Sequence, residues 1–486
     1  MNILLVHPTP PRGYWPRGVF LPLCVPTEMA HAAALLRQQG HQVLVEQRDI
    51  RLLQCEFDWD TADARFMTLL QEHDPAMVVF FTPTATAEET FRLAGMIRTR
   101  SADATTILAC GPHPTALPEQ TLGECPNLTA VLVGEWEWTL LEAAHQGRTK
   151  GIAGLRTPSC TNAEWLPRPV CTDLDKLPPP AWDLFAMEPI TRRQRWLIRW
   201  LPLRTLNLRT SRGCPNACSY CAAPLTAGTG VRLHSVDYVM AMLERGLNSY
   251  PLDAVLFEDE TFAADEGRLL QICDAMRKRG WSERLRWACC LRTDQARPAL
   301  LREMKAAGCR QIEYGFETAS DRLLKQIGKN TTCEQNLAAA RYTREAGMRI
   351  FANIMFGLPG ETADDMDNSL GFIRAIRPEV LSATAMIPLP GTELYRNLSP
   401  ELKSRLAWGD LHYFGDALEG FNPTAMSDAL WNRKFRQVQK YFVKPLLWHQ
   451  LLRDAGDESS ADVQFWKKNW RRFQRRHPFK ALRLPT

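Results

Sequence analysis

Over residues 1–145, short apolar runs alternate with stretches of helical periodicity. The strand-like runs are Asn2–His7 (NILLVH), Gln42–Gln47 (QVLVEQ), Met77–Thr82 (MVVFFT), Thr106–Cys110 (TILAC) and Ala130–Gly134 (AVLVG). Between them lie patterns such as EMAHAAALLRQQG, Glu28 to Gly40, which ends on a glycine stop signal. Continuous apolar strands separated by amphipathic helices predict an α/β domain, a doubly wound parallel sheet covered on both faces. Ligands of such sheets bind at the carboxyl ends of the strands. Those ends carry PTPPRG, TPTATAEET, CGPHPTALPE and GEWEWT, rich in Gly, Pro and Thr. Short βα loops often look like this, so no single one identifies a ligand.

Residues 146–203 lose the periodicity, and text such as TDLDKLPPPAWDLF predicts an extended, stiff linker. A second alternation fills 204–396, with runs at Thr205–Thr210, Ala254–Glu258, Arg286–Leu291, Gln311–Gly315, Arg349–Phe356 and Val380–Ile387. A full barrel needs eight βα units. Six predict a partial, open (β/α)6 barrel. Residues 397–486 turn helical, aromatic and basic.

The chain has 486 residues, 45% hydrophobic and 23% charged, with a net charge of +5. These values describe a globular protein and give no reason to expect a nucleic-acid partner. No run approaches the ~20 apolar residues of a membrane span. The N-terminus, MNILLVHPTP, enters a strand without a basic leader. Fourteen cysteines without a secretory signal predict a cytoplasmic, reducing location. Near the C-terminus, Trp466, Trp470 and Phe473 interleave with Lys467, Lys468, Arg471, Arg472, Arg475 and Arg476. Two readings stay open there: a terminal helix docked on the barrel, which is favoured, and a peripheral contact with an anionic surface, a membrane or nucleic acid.

The stretch TSRGCPNACSYCAAP sets Cys214, Cys218 and Cys221 in a C-x3-C-x2-C pattern. A structural zinc site needs four ligands, usually in two close pairs. No second pair follows, since Cys289 and Cys290 are adjacent and would point to opposite faces of a strand. A disulfide reading fails on compartment and on the odd count. Iron–sulfur clusters favour close cysteine spacing, and a cubane on three thiolates keeps one iron open for a ligand.

This signature, with aromatic Tyr220 before the last cysteine, resembles the radical S-adenosylmethionine (SAM) superfamily. The likeness continues in order through FEDETFAAD (Phe257–Asp265), WACCLRTD (Trp287–Asp294), EYGFETASDRLLKQIGK (Glu313–Lys329), NIMFGLPGET (Asn353–Thr362) and MIPLPGTELY (Met386–Tyr395). The resemblance implies a 4Fe–4S cluster on Cys214, Cys218 and Cys221. It implies SAM on the open iron, an external donor of the flavodoxin or ferredoxin type, and a 5′-deoxyadenosyl radical. By family position, the backbone around Asp259 and Glu260 receives the SAM amino group. Arg292 and Glu317 make polar contacts, and the Gly357 segment lies near the adenine. Plainer roles stay open: Glu317 as cap of the next helix, Arg292 as partner of a surface acid. Cys289, Cys290, Cys309 and Cys333 are expected to be small buried hydrophobes.

The front domain resembles the Rossmann-like module of the cobalamin-binding subgroup, on CGPHPTALPE, VLVGEWEWTLLE and the linker text DLDKLPPPAWDLF. The resemblance implies that the loops carrying Thr82 and Thr84, Gly111 and His113, and Gly134 and Glu135 line the corrinoid. A nucleotide-binding or vestigial domain is the alternative, although GxGxxG is absent after the first strand. The subgroup implies a methyltransferase acting on an unactivated carbon of a small or lipid-like metabolite. A radical SAM oxidoreductase or cyclase that uses cobalamin without methyl transfer is the alternative, and a non-catalytic iron–sulfur or corrinoid carrier the alternative from another class. The cobalt-ligating string Asp-x-His-x-x-Gly occurs as DLHYFG, at Asp410, His412 and Gly415, more than 250 residues beyond the front domain. That context reads as a decoy. The expectation is cobalamin without a histidine ligand, its lower face covered by the Pro10–Leu23 and Thr82–Thr90 loops.

Overall fold

The computed structural model describes residues 1–9, 23–101, 105–194, 197–199, 201–228, 230–411 and 421–438. Strands β1 (Asn2–His7), β2 (Gln42–Gln47), β3 (Met77–Phe81), β4 (Thr106–Cys110) and β5 (Ala130–Leu132) form a parallel sheet in the order β2-β1-β3-β4-β5. Side chains of β1 explain the double winding. Ile3 and Leu5 enter one core, Leu4 and Val6 the other, and all four are fully buried. The strand order reverses between β1 and β3, so the ligand crevice of such a sheet opens there, at the carboxyl ends.

The segment expected to be an extended linker is docked instead. Its β6 (Leu155–Arg156) pairs antiparallel with β5. Leu174, Leu177, Ala181, Trp182 and Phe185 are buried, and Ala181 N donates to Ala30 O at 2.9 Å. The prolines that suggested a spacer separate apolar anchors, and burying those anchors outweighs the freedom of an open chain.

After β7 (Arg193–Gln194) come β8 (Leu203–Leu208) and a ribbon of β9 (Ser211–Arg212) with β10 (Arg232–Leu233). Then follow β11 (Ala254–Phe257), β12 (Arg286–Leu291), β13 (Cys309–Glu317), β14 (Arg349–Phe356) and β15 (Val380–Ala385). The order β8-β11-β12-β13-β14-β15 is parallel throughout, the open half-barrel that six βα units predict, with β7 antiparallel at its edge. Side chains of Ser235, Asp265, Thr332 and Thr362 cap helices of this half, three starting right after mouth loops. Each cap satisfies an orphan N–H and stiffens its loop. Helix Asp428–Val438 lays Trp431 and Phe435 into the same core. The basic segment from Trp466 to Arg476 lies outside the described residues. No helix among the described residues is long and apolar enough to cross a membrane.

Candidate functional site

The cysteine loop leaves β9 at the mouth of the half-barrel. Its root is held by Asp259, just past β11, whose Oδ1 accepts from Thr210 N at 3.1 Å, from Thr210 Oγ1 at 3.0 Å and from Ser211 Oγ. Burial pushes the Asp259 carboxyl up, and these donors work against it. The loop itself is pinned by Ser219, which donates N–H to Ile327 O (2.9 Å) and accepts from Leu394 N (3.1 Å). Cys214, Cys218 and Cys221 are all free thiols and all half-buried. Burial pushes Cys221 up to about 11, and Cys218 and Cys214 push the same way. The three sulfurs therefore lie within electrostatic reach of one another. Lys329 and Arg292 pull Cys218 back toward thiolate against its burial.

Among the described residues, no three His, Cys, Asp or Glu side chains converge as a single-ion site requires. Mononuclear zinc draws its sulfurs to about 2.3 Å from one point. Three half-buried thiols on one loop, with Lys329 and Arg292 beside Cys218, are a donor set of the kind iron–sulfur clusters take. The donor set accords with a cluster.

Glu317 ends β13 in the left-handed region, φ 62°, where the register with β14 slips between Gly315 and Glu317. Such a backbone costs about 1–3 kcal/mol for a non-glycine residue. The result is a carboxylate turned toward the cysteine loop: Glu317 Oε1 accepts from Tyr220 OH at 2.8 Å and Lys329 Nζ at 3.0 Å. The following helix has Ser320 at its N-cap, so Glu317 does not serve as that cap. Burial, then Glu317, raises the Tyr220 hydroxyl pKa. Arg292 does pair with a neighbouring acid, Asp294, at 2.9 Å, and it also donates to Lys329 O at 2.8 Å. Gly357 N donates to Glu361 Oε2 at 2.5 Å beneath the Trp431 ring. Glu260 Oε1 lies 3.4 Å from Arg209 Nη1.

The front sheet's carboxyl edge faces this mouth across charged pairs. Arg209 Nη1 donates to Glu28 Oε1 at 2.7 Å, and Arg212 Nη2 to Glu137 Oε1 at 2.5 Å. Arg232 grips Glu135 through Nη1 (3.0 Å) and Nη2 (2.5 Å). Asn207 exchanges two hydrogen bonds with the backbone of Val25, at 3.0 and 2.8 Å. Between the halves runs a crevice lined on one side by Phe81, Gly111, Gly134 and Trp136, and on the other by Arg209, Arg212 and Ala227. Glycines and flat aromatic rings on its front wall leave room for a planar group to approach the backbone.

Of the front-domain residues expected to line a corrinoid, Gly111, Gly134 and Glu135 reach the crevice. The Thr82 hydroxyl is buried on Phe80 O and Thr90, and Thr84 is buried. The His113 ring lies edge-on to Trp408, at 4.9 Å. That contact places the turn just before DLHYFG against the front domain. Trp408 Nε1 donates to Glu124 Oε2 at 2.7 Å, so the turn Trp408–Asp410 rests on the front domain despite its distance in sequence. His412, Gly415 and residues 10–22 lie outside the described residues. Cys289 and Cys309 are buried, whereas Cys290 and Cys333 are half-buried. Lys329, Arg209, Arg212 and Arg232 escaped the sequence reading. Arg209 and Arg212 bracket the Thr-Ser before Gly213, and that symmetry was the available signal.

Two family models match the chain: the Radical SAM superfamily over residues 208–373 and the B12 binding domain over 18–144. An uncharacterized methyltransferase of Pyrococcus horikoshii is 27% identical over 402 residues, 81% of this chain and 82% of that one. The anaerobic magnesium-protoporphyrin IX monomethyl ester cyclase of Cereibacter sphaeroides is 23% identical, covering 94% of this chain and 72% of its own. Among solved structures, the radical SAM methyltransferase TsrM of Kitasatospora setae, with cobalamin and a 4Fe–4S cluster bound, superposes with a TM-score of 0.63 at 20% identity. That match covers 81% of this chain and 73% of TsrM. This chain is a radical SAM protein with a B12-binding domain, homologous to the cobalamin-dependent radical SAM methyltransferases and to the magnesium-protoporphyrin cyclase.

Proposed function

We propose that this protein methylates an unactivated carbon of a small or lipid-like metabolite. The observation that carries the reading is the crevice itself: the carboxyl edges of both parallel sheets, one of each domain, open into the same space. When bound, the cluster with SAM would supply a 5′-deoxyadenosyl radical, and cobalamin a methyl group. Cys214, Cys218 and Cys221 would hold the cluster, with Lys329 and Arg292 favouring the thiolate of Cys218. Glu317, Tyr220 and Lys329 form a rigid polar triad beside them. Gly111, Gly134 and Glu135 would flank the corrinoid. The Arg212–Glu137 and Arg232–Glu135 pairs keep the halves in contact and exclude water from a cavity where radicals must not be quenched. Reduction by a flavodoxin or ferredoxin type of donor completes the scheme. The cyclase homology favours one second reading, oxidation or ring closure in the same cavity without methyl transfer.

The test is anaerobic reconstitution with cluster, SAM and methylcobalamin, followed by mass analysis of products from extracts. Transfer of a labelled methyl group from SAM to product, with release of 5′-deoxyadenosine, is the expected result. Deoxyadenosine with a product that has lost hydrogen and gained no label would replace this reading with the second. No deoxyadenosine at all would favour a carrier.

A further inference from the structure

Strands β11 to β14 place alternate side chains inside the half-barrel, and carboxylates dominate the tier just below the mouth. Glu258 follows β11, beside β12's Cys290, and Glu313 on β13 pairs in register with that Cys290. Each glutamate is oriented by an amide. Asn207 Nδ2 donates to Glu258 Oε2 at 2.8 Å, and Asn353 Nδ2 to Glu313 Oε1 at 2.7 Å. The Cys290 thiol adds a weak donor to Glu313. Among the described residues, no hydrogen bond reaches Glu258 Oε1.

A second, independent observation points to a missing donor. Gln311 lies two residues before Glu313 on the same face of β13, is 2% exposed, and its Oε1 has no hydrogen-bond partner among the described residues. A buried acceptor without a donor loses its water and gains nothing in return, so it is costly to leave unmet. Arg199 acts on Glu313 against its burial, and it also lies 5.7 Å from the Phe351 ring. At the rim, Arg209 is shared between Glu28 and Glu260 and also acts on Glu258. Burial pushes Glu258 up to about 7 and raises Glu313 as well, outweighing Arg209 and Arg199. Deeper in the half-barrel the wall turns apolar, with Leu256, Ala288 and Ile198 in one cluster.

We propose that the substrate carries a protonated amine, held by Glu258 and Glu313 inside the half-barrel, with its apolar part on the wall beneath them. This rests on the half-barrel being the reaction cavity. A cationic nitrogen supplies donors for Glu258 Oε1 and Gln311 Oε1, and adds to the positive charge that Arg209 and Arg199 bring to the tier.

The test uses full-length, anaerobically reconstituted protein and three matched probes: phenethylamine, 2-phenylethanol and hydrocinnamate. Ligand-observed NMR titration gives their affinities. A charge-assisted hydrogen bond contributes about 1.5–3 kcal/mol, so the amine should bind roughly tenfold or more tightly than the alcohol. In Glu258→Gln/Glu313→Gln the preference should fall to within about twofold, since the isosteric amides keep shape and lose charge. Each single variant should lose part of it, which keeps the test valid should the double variant lose its cluster. Equal binding of the probes, preference for hydrocinnamate, or an amine preference that survives both substitutions overturns the proposal. Cluster absorbance and deoxyadenosine release, recorded on the same samples, report separately on the functional reading.

Discussion

The chain builds a parallel sheet twice, and the two sheets use their carboxyl edges differently. The front sheet, ordered β2-β1-β3-β4-β5, stays open and offers glycines, loop backbone and flat rings. The half-barrel curls, so its edge offers side chains: three thiols on a loop, then Glu317, Lys329 and Tyr220 beside them. A flat edge suits a broad planar group held by shape. A curled one brings ligating atoms from several strands to one place. Both halves spring from the same βα alternation, and curvature alone decides which kind of site results.

The largest effect should come from removing the curled half's ligands. Cys214→Ala/Cys218→Ala/Cys221→Ala is expected to abolish cluster absorbance and deoxyadenosine formation together, while cobalamin binding by the front half stays within about twofold, since sites with no shared partners act independently. A cubane that persists in the triple variant would sink the cluster assignment. Loss of cobalamin along with the cluster would show the two edges to be one coupled site.

Next comes the seam. Arg212 and Glu137 have side chains only 8% and 1% exposed. Removing one partner of a buried pair leaves an uncompensated charge and costs about 3–5 kcal/mol. Arg212→Met should therefore lower the melting temperature sharply, and adding Glu137→Gln should restore more than half of the loss. Equal melting of the single and double variants would mean that the pair is not what joins the halves.

The contrast between edges also explains what could be read in the sequence. The front strands are apolar on both faces and bounded by glycine and polar turns, and β1, β2 and β4 begin and end where the pattern places them. The cysteine signature is local and equally legible. Lys329 was not, because its contact with Glu317 depends on a bulge that moves β13 out of register. Nor was the docking of residues 174–185, because prolines that look like a spacer in one dimension brace anchors in three. The seam pairs lie 75 and 97 residues apart, and no periodicity encodes a distance of that kind.

A smaller, pH-dependent effect separates the edges further. Glu28, at the seam, is pushed up by burial, yet Arg209 and Arg212 outweigh this and hold it below the usual carboxylate range. Glu361, at the end of the half-barrel, is dominated by burial, which outweighs the backbone donors of Gly357 and Leu358 and the pull of Arg322 and raises it to about 8. Between the ordinary glutamate value and 8, the unfolded chain has released this proton while the folded chain retains it. Stability therefore falls as pH rises through that window, and the penalty is complete above it. Glu361→Gln keeps an acceptor for Gly357 N and removes the titration. The wild type should lose roughly 2–4 kcal/mol more than the variant between pH 5 and pH 8.5, by denaturant titration. Parallel pH profiles would remove Glu361 from the account.

The smallest effect probes the flat edge alone. Gly111 and Gly134 both have positive φ, 97° and 82°, but their surroundings differ. A Cβ on Gly134 would meet nothing within 4 Å, whereas one on Gly111 would lie 3.1 Å from the Phe81 ring and 3.3 Å from Thr82 N. Gly134→Ala should thus cost only the backbone strain, about 1 kcal/mol. Gly111→Ala carries the same strain and must also displace a ring packed in the crevice wall, so it should cost more. The two should diverge the other way in ligand binding. A methyl on Gly134 projects into open space on the crevice side, where a planar group held by shape would meet it. Titrating cobalamin into each variant decides the matter: Gly134→Ala should weaken binding despite its small stability cost. If it binds as the wild type does, Gly134 is not part of the surface that holds the corrinoid, and the flat edge owes its glycine to the turn alone.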